Sequence, residues 1–163
     1  MFKAVLAAAV VPIAVCAWAQ ESTGPAQPIP YSHKVHIAAG AGCKDCHRNP
    51  DPGDFMGIPA ASVCMNCHRA IKTDSLAIQK VAEFAKEKKD IPWVRVYRVP
   101  DYVFFNHREH VEQGATCKDC HGDVAQMDVV VKASDISMGG CMSCHRAKKA
   151  SVSCTYCHDQ RSQ

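Results

Sequence analysis

The sequence has 163 residues and is poor in long apolar runs, in net charge and in any alternation of strand-like with helix-like segments. The one long apolar run is Ala4–Ala17, and no later segment could span a bilayer, which excludes a multi-span membrane protein. The run is short, is interrupted by Pro12, follows Lys3 and ends in Ala17-Trp18-Ala19, an Ala-x-Ala site. It therefore reads as a secretory signal (residues 1–19) cleaved near Ala19, leaving Gln20 as the first mature residue. Cys16 falls inside the removed peptide, and Val15 before it makes a poor lipoprotein site. The product is expected outside the cytoplasm, in the periplasm. The missing strand-helix alternation excludes a thioredoxin-like thiol redox unit.

Cysteine, by contrast, is abundant. Ten of the eleven cysteines fall in five copies of Cys-x-x-Cys-His: Cys43/Cys46/His47, Cys64/Cys67/His68, Cys117/Cys120/His121, Cys141/Cys144/His145 and Cys154/Cys157/His158. A disulfide framework would not require a histidine after every second cysteine. Zinc ribbons share the Cys-x-x-Cys spacing but not the adjacent histidine, and five knuckles pair poorly. The pattern is that of c-type haem attachment. Two thiols three residues apart each form a thioether with a haem vinyl group, and the following imidazole lies beneath the ring as proximal iron ligand. The expected cofactors are five covalently attached haem c groups.

The mature chain has about 144 residues, or about 29 per motif, too few for five separate hydrophobic pockets. The haems must form the core of a single compact unit of mostly α and irregular structure, and their removal is expected to abolish folding. The formal charge of +3 includes Lys3 of the signal. Haems with ionised propionates are formally anionic, so the loaded protein is acidic, and the basic apoprotein gives no reason to expect nucleic acid as a partner. Its Lys and Arg residues are expected to face propionates or a partner protein.

Residues 20–30 form a Gly/Pro/Gln-rich linker without periodicity. Beyond it the chain is duplicated. Tyr31-Ser-His33-Lys-Val-His36 and Cys43-Lys-Asp-Cys46-His47 recur 74 residues later as Phe105-Asn-His107-Arg-Glu-His110 and Cys117-Lys-Asp-Cys120-His121. Cys64-Met-Asn-Cys67-His68-Arg-Ala recurs at an offset of 77 as Cys141-Met-Ser-Cys144-His145-Arg-Ala. A two-haem module is thus present twice (repeat one 31–72, repeat two 103–149), and the fifth motif follows in residues 150–163. The connector, 73–102, holds a helix over about 74–89. Leu76, Ala77, Val81, Phe84 and Ala85 form its apolar stripe, Thr73 or Asp74 its cap, and Lys86, Lys88 and Lys89 favour its C-terminal end. Asp90-Ile91-Pro92 stops it. Val94–Val99 alternates like a short strand, and Trp93 and Tyr97 are expected to pack against haem or core.

Nine histidines less five proximal ones leave His33, His36, His107 and His110, two His-x-x-His pairs. On a helical turn, i and i+3 imidazoles project about 60° apart, so each can reach a different iron. All four read as distal ligands. Five haems with four distal histidines leave one sixth position for methionine, another group or nothing. Met138, three residues before Cys141, and Met127 are the favoured candidates, ahead of Met56, Met65 and Met142.

The segments at 31–36 and 105–110 resemble the class III cytochromes c, in which Phe-x-His-x-x-His precedes the first haem motif. That resemblance implies that His33 caps the haem of Cys43/Cys46 and His107 that of Cys117/Cys120, with His36 and His110 serving two others. Ile91-Pro-Trp-Val-Arg-Val-Tyr-Arg-Val-Pro-Asp-Tyr-Val-Phe-Phe-Asn-His107-Arg-Glu-His110-Val, with the Met-Gly-Gly-Cys-Met-Ser-Cys-His-Arg segment and Gly57-Ile-Pro-Ala-Ala-Ser-Val-Cys-Met-Asn-Cys-His, is similar to a narrower group. This group comprises the pentahaem cytochrome subunit of alternative complex III and the multihaem subunit of menaquinone reductase complexes. The similarity covers roughly residues 28–158. It implies four bis-histidine haems, one His/Met haem, and electron transfer from a quinol-linked complex.

The leading functional expectation is an electron carrier that passes electrons from haem to haem and is not itself an enzyme. Its partners would be redox proteins, either a quinol-linked membrane complex of which it is a subunit or other cytochromes it meets as a shuttle. Membrane association would come only through partners. A haem reductase acting at an open fifth haem is the alternative; no Cys-x-x-Cys-Lys variant is present to favour it. Five haems are excessive for a structural or sensory role.

Overall fold

The computed structural model describes residues 24–48 and 55–159, so the expected signal peptide and Cys16 lie outside them. Among the described residues, helices and irregular loops make up the whole chain, and there is no strand. In order they are α1 (His33–Ala38), α2 (Cys43–Cys46), α3 (Ala61–His68), α4 (Leu76–Glu87), α5 (His107–Glu112), α6 (Cys117–His121), a 3-10 turn (Val124–Gln126), α7 (Met138–Ala147) and α8 (Cys154–His158). None of these helices is long and apolar enough to cross a membrane.

The sequence duplication is also a duplication of local structure. Ser32 and Asn106 occupy equivalent N-caps, accepting hydrogen bonds from the Val35 and Glu109 amides at 3.1 and 3.3 Å. Gly40 and Gly114 follow α1 and α5 with φ of 94° and 87°, a backbone shape glycine adopts without Cβ strain. After α3 and α7, Lys72 and Lys149 both take left-handed φ, 55° and 57°, preserving the offset of 77.

Helix α4 is shorter than its sequence pattern suggests. Ser75 rather than Thr73 or Asp74 is the N-cap residue, and the helix ends at a left-handed Lys88 (φ 53°), whose neighbour Lys89 donates its amide to Phe84 O at 3.0 Å. The chain therefore turns before Pro92 is reached. Its buried face is Ala77, Val81, Phe84 and Ala85, packed with Ile29, Ala61 and Ile91. Leu76 does not join this stripe: it is 82% exposed, one residue and about 100° away from Ala77 around the helix.

Val94–Val99, expected as a strand, is extended but unpaired. A ladder needs a neighbouring strand, and here a side chain substitutes at one residue. Gln27 Nε2 donates to Val94 O at 2.8 Å, and the Val94 amide donates to Gln27 Oε1 at 2.9 Å. Further along, Ala133 N donates to Tyr97 Oη at 2.6 Å. The fully buried apolar side chains among the described residues are only Ile29, Ala61, Val81 and Ile91.

Candidate haem sites

Four of the five motifs lie on helices of two kinds, and their intervening residues differ accordingly. In α2 and α6 the first cysteine is also the first helical residue, so nothing precedes it to satisfy the end amides. The Asp of Cys-Lys-Asp-Cys meets that need. Asp45 Oδ2 accepts from Gly42 N, and Asp119 Oδ2 from Thr116 N, both at 2.7 Å. In α3 and α7 the motif lies in the body of a longer helix, and Met stands where Lys stands in the short ones. The cap of α7 is remote from the motif: Ser137 Oγ accepts from Gly140 N at 3.3 Å.

Imidazoles face one another in pairs. His33 and His47 have ring centroids 6.5 Å apart with planes 4° from parallel. His36 and His68 are 6.0 Å apart at 67°, and His110 and His145 are 6.0 Å apart at 54°. Two imidazoles on opposite sides of one metal, each at a bond of ~2 Å, have centroids about 6 Å apart. His107 and His121 are also neighbours, close enough for their charges to interact. His33, His36 and His110 thus each face the histidine of a different motif.

Six of the rings are held by backbone carbonyls. Nδ1 of His47, His68, His145 and His158 donates to Gly57 O (2.7 Å), Ile71 O (3.0 Å), Ser151 O (2.6 Å) and Tyr102 O (2.9 Å). His36 and His110 donate to Ser32 O and Asn106 O, each at 2.7 Å. A carbonyl only accepts, so the proton is on Nδ1 and the Nε2 lone pair is free for a metal. One aromatic ring serves both members of each distal pair. Tyr31 stands edge-on to His33 (4.8 Å, 87°) and stacks on His36 (4.4 Å, 25°). Phe105 repeats this with His107 (4.8 Å, 89°) and His110 (4.5 Å, 27°). The offset of 74 already aligned Tyr31 with Phe105 in sequence; the carbonyl partners leave no such trace.

No two motif cysteines are joined in a disulfide. Burial pushes the Cys46, Cys64, Cys120 and Cys141 thiols up, and nearby cysteines add to the effect. Thiols disfavoured as thiolates are poor zinc ligands and poor redox nucleophiles, whereas an uncharged thioether suits the same surroundings. Among the described residues no three or more His, Cys, Asp or Glu side chains form a metal-ion site of their own. Burial, followed by the charges of His47 and His36, lowers His33, and burial with His107 and His47 lowers His121. Tyr31, half-buried, is pushed up to about 12, by burial first and then by Cys46 and Cys64.

A connected cavity of about 2430 Å³, well beyond the ~300–1,000 Å³ of a single-ligand pocket, is lined by residues of all five motifs, the second contributing Cys64 alone. Trp93 Nε1, on its wall, and His33 Nδ1 are buried with no protein partner. An indole donor of this kind suits a propionate, and the residues present fit haem. Of the two favoured methionines, Met138 opens α7, is 63% exposed and lines the cavity that His158 also lines. Met127 lies elsewhere: its carbonyl accepts from Lys34 N at 3.1 Å, and its Cε packs toward Gly122.

Comparison with known proteins agrees with this chemistry. Residues 103–161 match the family described as cytochrome c7 and related cytochrome c. The chain is 32% identical over 160 residues to the multiheme cytochrome c subunit of menaquinone reductase from Nitratidesulfovibrio vulgaris, a match covering 81% of this chain and 76% of that one. A helical, strand-free architecture with c-type haem motifs at duplicated, histidine-faced sites and this level of identity place the chain in the family of multihaem c-type cytochromes, electron-transfer proteins with covalently bound haem c.

Proposed function

We propose that this protein is a periplasmic pentahaem cytochrome c that carries electrons in a quinol-linked respiratory chain, as a subunit of a membrane complex, and that it is not itself an enzyme. The observation that carries the reading is the recurrence of facing imidazoles at 6.0–6.5 Å on a duplicated frame. On this reading the axial pairs are His47 with His33, His68 with His36, His121 with His107, and His145 with His110. His158 is left to pair with Met138. The thioether positions are Cys43/Cys46, Cys64/Cys67, Cys117/Cys120, Cys141/Cys144 and Cys154/Cys157.

When bound, haem supplies reversible one-electron chemistry at iron, tuned by axial ligand identity, burial and hydrogen bonding. The chain's contribution is to hold six of the imidazoles through Nδ1–H, fill both axial positions so that no substrate binds, and keep neighbouring sites close. The relative from N. vulgaris is named as a subunit of menaquinone reductase, which supports the quinol link and the assignment to a complex.

Expression with c-type haem maturation, followed by mass measurement and electron paramagnetic resonance of the ferric protein, tests the reading. Five attached haems, all low-spin, are expected. A substantial high-spin population would point instead to an open iron and to the reductase alternative. Recovery of nearly all the protein from native membranes as a detergent-free soluble monomer would sink the assignment to a complex.

A further inference from the structure

We infer that the five haem sites stand in one row in the order second, first, third, fourth, fifth, so that the duplicated modules meet head to head and the site without a distal histidine lies at one end. The inference rests on the haem reading above and goes beyond it. Sequence order alone would suggest first to fifth in succession.

Within each module the neighbours are fixed by one short helix. His33 and His36 both belong to α1, share contact with Tyr31, and face His47 and His68 respectively. First and second sites therefore adjoin. On α5, His107 and His110 share Phe105, and His110 faces His145; third and fourth sites adjoin in the same way.

The seam between the modules runs through α1 and the 3-10 turn that follows the third motif. Lys34 N donates to Met127 O at 3.1 Å, and Ser32 Oγ donates to Asp128 Oδ1 at 2.7 Å. The turn starts three residues after His121, and α1, on the other side of these hydrogen bonds, carries His33, which faces His47. First and third sites thus form the inner pair. The equivalent sites of the two modules meet each other, as they do across a two-fold axis and not in a head-to-tail array.

The fifth site attaches on the far side. Phe104 N donates to Cys157 O at 2.9 Å, the Tyr156 ring is 6.4 Å from that of His145, and His145 donates to Ser151 O in the segment leading into α8. The large cavity passes His33, His47, His121, His145 and His158; of the second motif only Cys64 touches it, and His36 and His68 lie off it beside α3. This places the second site at the opposite end from the fifth. An electron travelling the whole row crosses the Ser32–Asp128 seam in the middle and meets the histidine-poor site only on entry or exit.

The test is an anomalous-scattering map of iron positions in crystals of the mature holoprotein, with each iron assigned by the cysteines that hold its haem. The expected nearest-neighbour sequence is the second, first, third, fourth and fifth sites, with the first and third irons adjacent. Five irons with the second and third adjacent, or with the fifth between the modules, would overturn the row and leave the pentahaem reading intact. Fewer than five haems by mass would remove the reading itself, and the row with it.

Discussion

An imidazole whose Nδ1–H is donated to a carbonyl cannot rotate freely, so the angle between two facing rings is set by the backbone. His36/His68 and His110/His145, with all four rings so held, are crossed at 67° and 54°, whereas His33, packed edge-on against Tyr31, lies 4° from parallel to the carbonyl-held His47. Parallel axial planes split the two iron orbitals that overlap the imidazole π systems, and crossed planes leave them nearly degenerate. Ferric electron paramagnetic resonance is therefore expected to show at least one rhombic low-spin haem beside others of much larger anisotropy; a single class of signal would refute the ring geometry. His36→Ala should convert one haem to a high-spin, carbon monoxide-binding form while the His33-capped haem keeps its signal, and conversion of the wrong haem would show that the pairing is misassigned. Met138→Ala should abolish a His/Met signature and lower one potential, whereas Met127→Ala, at the seam, should leave every ligand set unchanged. The facing histidines could be picked out in the sequence because they recur at fixed offsets as whole side-chain types. Their orienting partners could not, because Gly57, Ile71, Ser151 and Tyr102 act through backbone oxygens that any residue supplies.

Short helices need their ends satisfied more than long ones, because most of their amides and carbonyls are terminal. Helices α1 and α5 have six residues each and depend on Ser32 and Asn106. Asn106→Ala is expected to cost ~1 kcal/mol in denaturant unfolding of the holoprotein, with the change localised to α5 by hydrogen exchange; no loss of protection there would contradict the capping role. Before α7, Asp135 accepts from Ser137 N (2.8 Å) and Ser137 Oγ (3.0 Å), and these hydrogen bonds hold its carboxyl below the usual range. A depressed folded pKa contributes stability above the unfolded value near ~4 and loses it as pH falls through the folded one. Asp135→Asn should therefore flatten the acid side of the stability profile, and an unaltered profile would remove Asp135 from the account. The helical stripe of α4 was legible from its period, because burial against Ile29 and Ala61 demands that spacing. Leu76 was misread since it is apolar but off the buried face. The Val94–Val99 alternation was misread as a strand because a period of two describes any extended chain, and pairing depends on a partner that the segment itself does not encode.

At the scale of the whole molecule, protein packing alone is too small to hold this fold. Among the described residues the buried apolar side chains are Ile29, Ala61, Val81 and Ile91, of which the three larger contribute about 1.5–3 kcal/mol each, against about 1–2 kcal/mol of backbone entropy for every residue ordered. The sequence already implied this imbalance through its length per motif, and the structure locates the exception: α3 and α4 pack on one another around those four residues, and of the two helices only Cys64 lines the cavity. Replacing all ten motif cysteines with alanine, so that no haem is attached, should therefore leave a chain that lacks cooperative unfolding and gives rapid amide exchange throughout α1, α2 and α5–α8, with residual protection confined to α3 and α4. Val81→Ala in the holoprotein should cost roughly 2 kcal/mol without altering any haem signal, since its side chain belongs to that local core. If the haem-free chain instead unfolded cooperatively with protected α5 and α7, the second module would hold itself together by protein contacts, and the haem-centred account of the fold would fail where the duplication predicts it should be strongest.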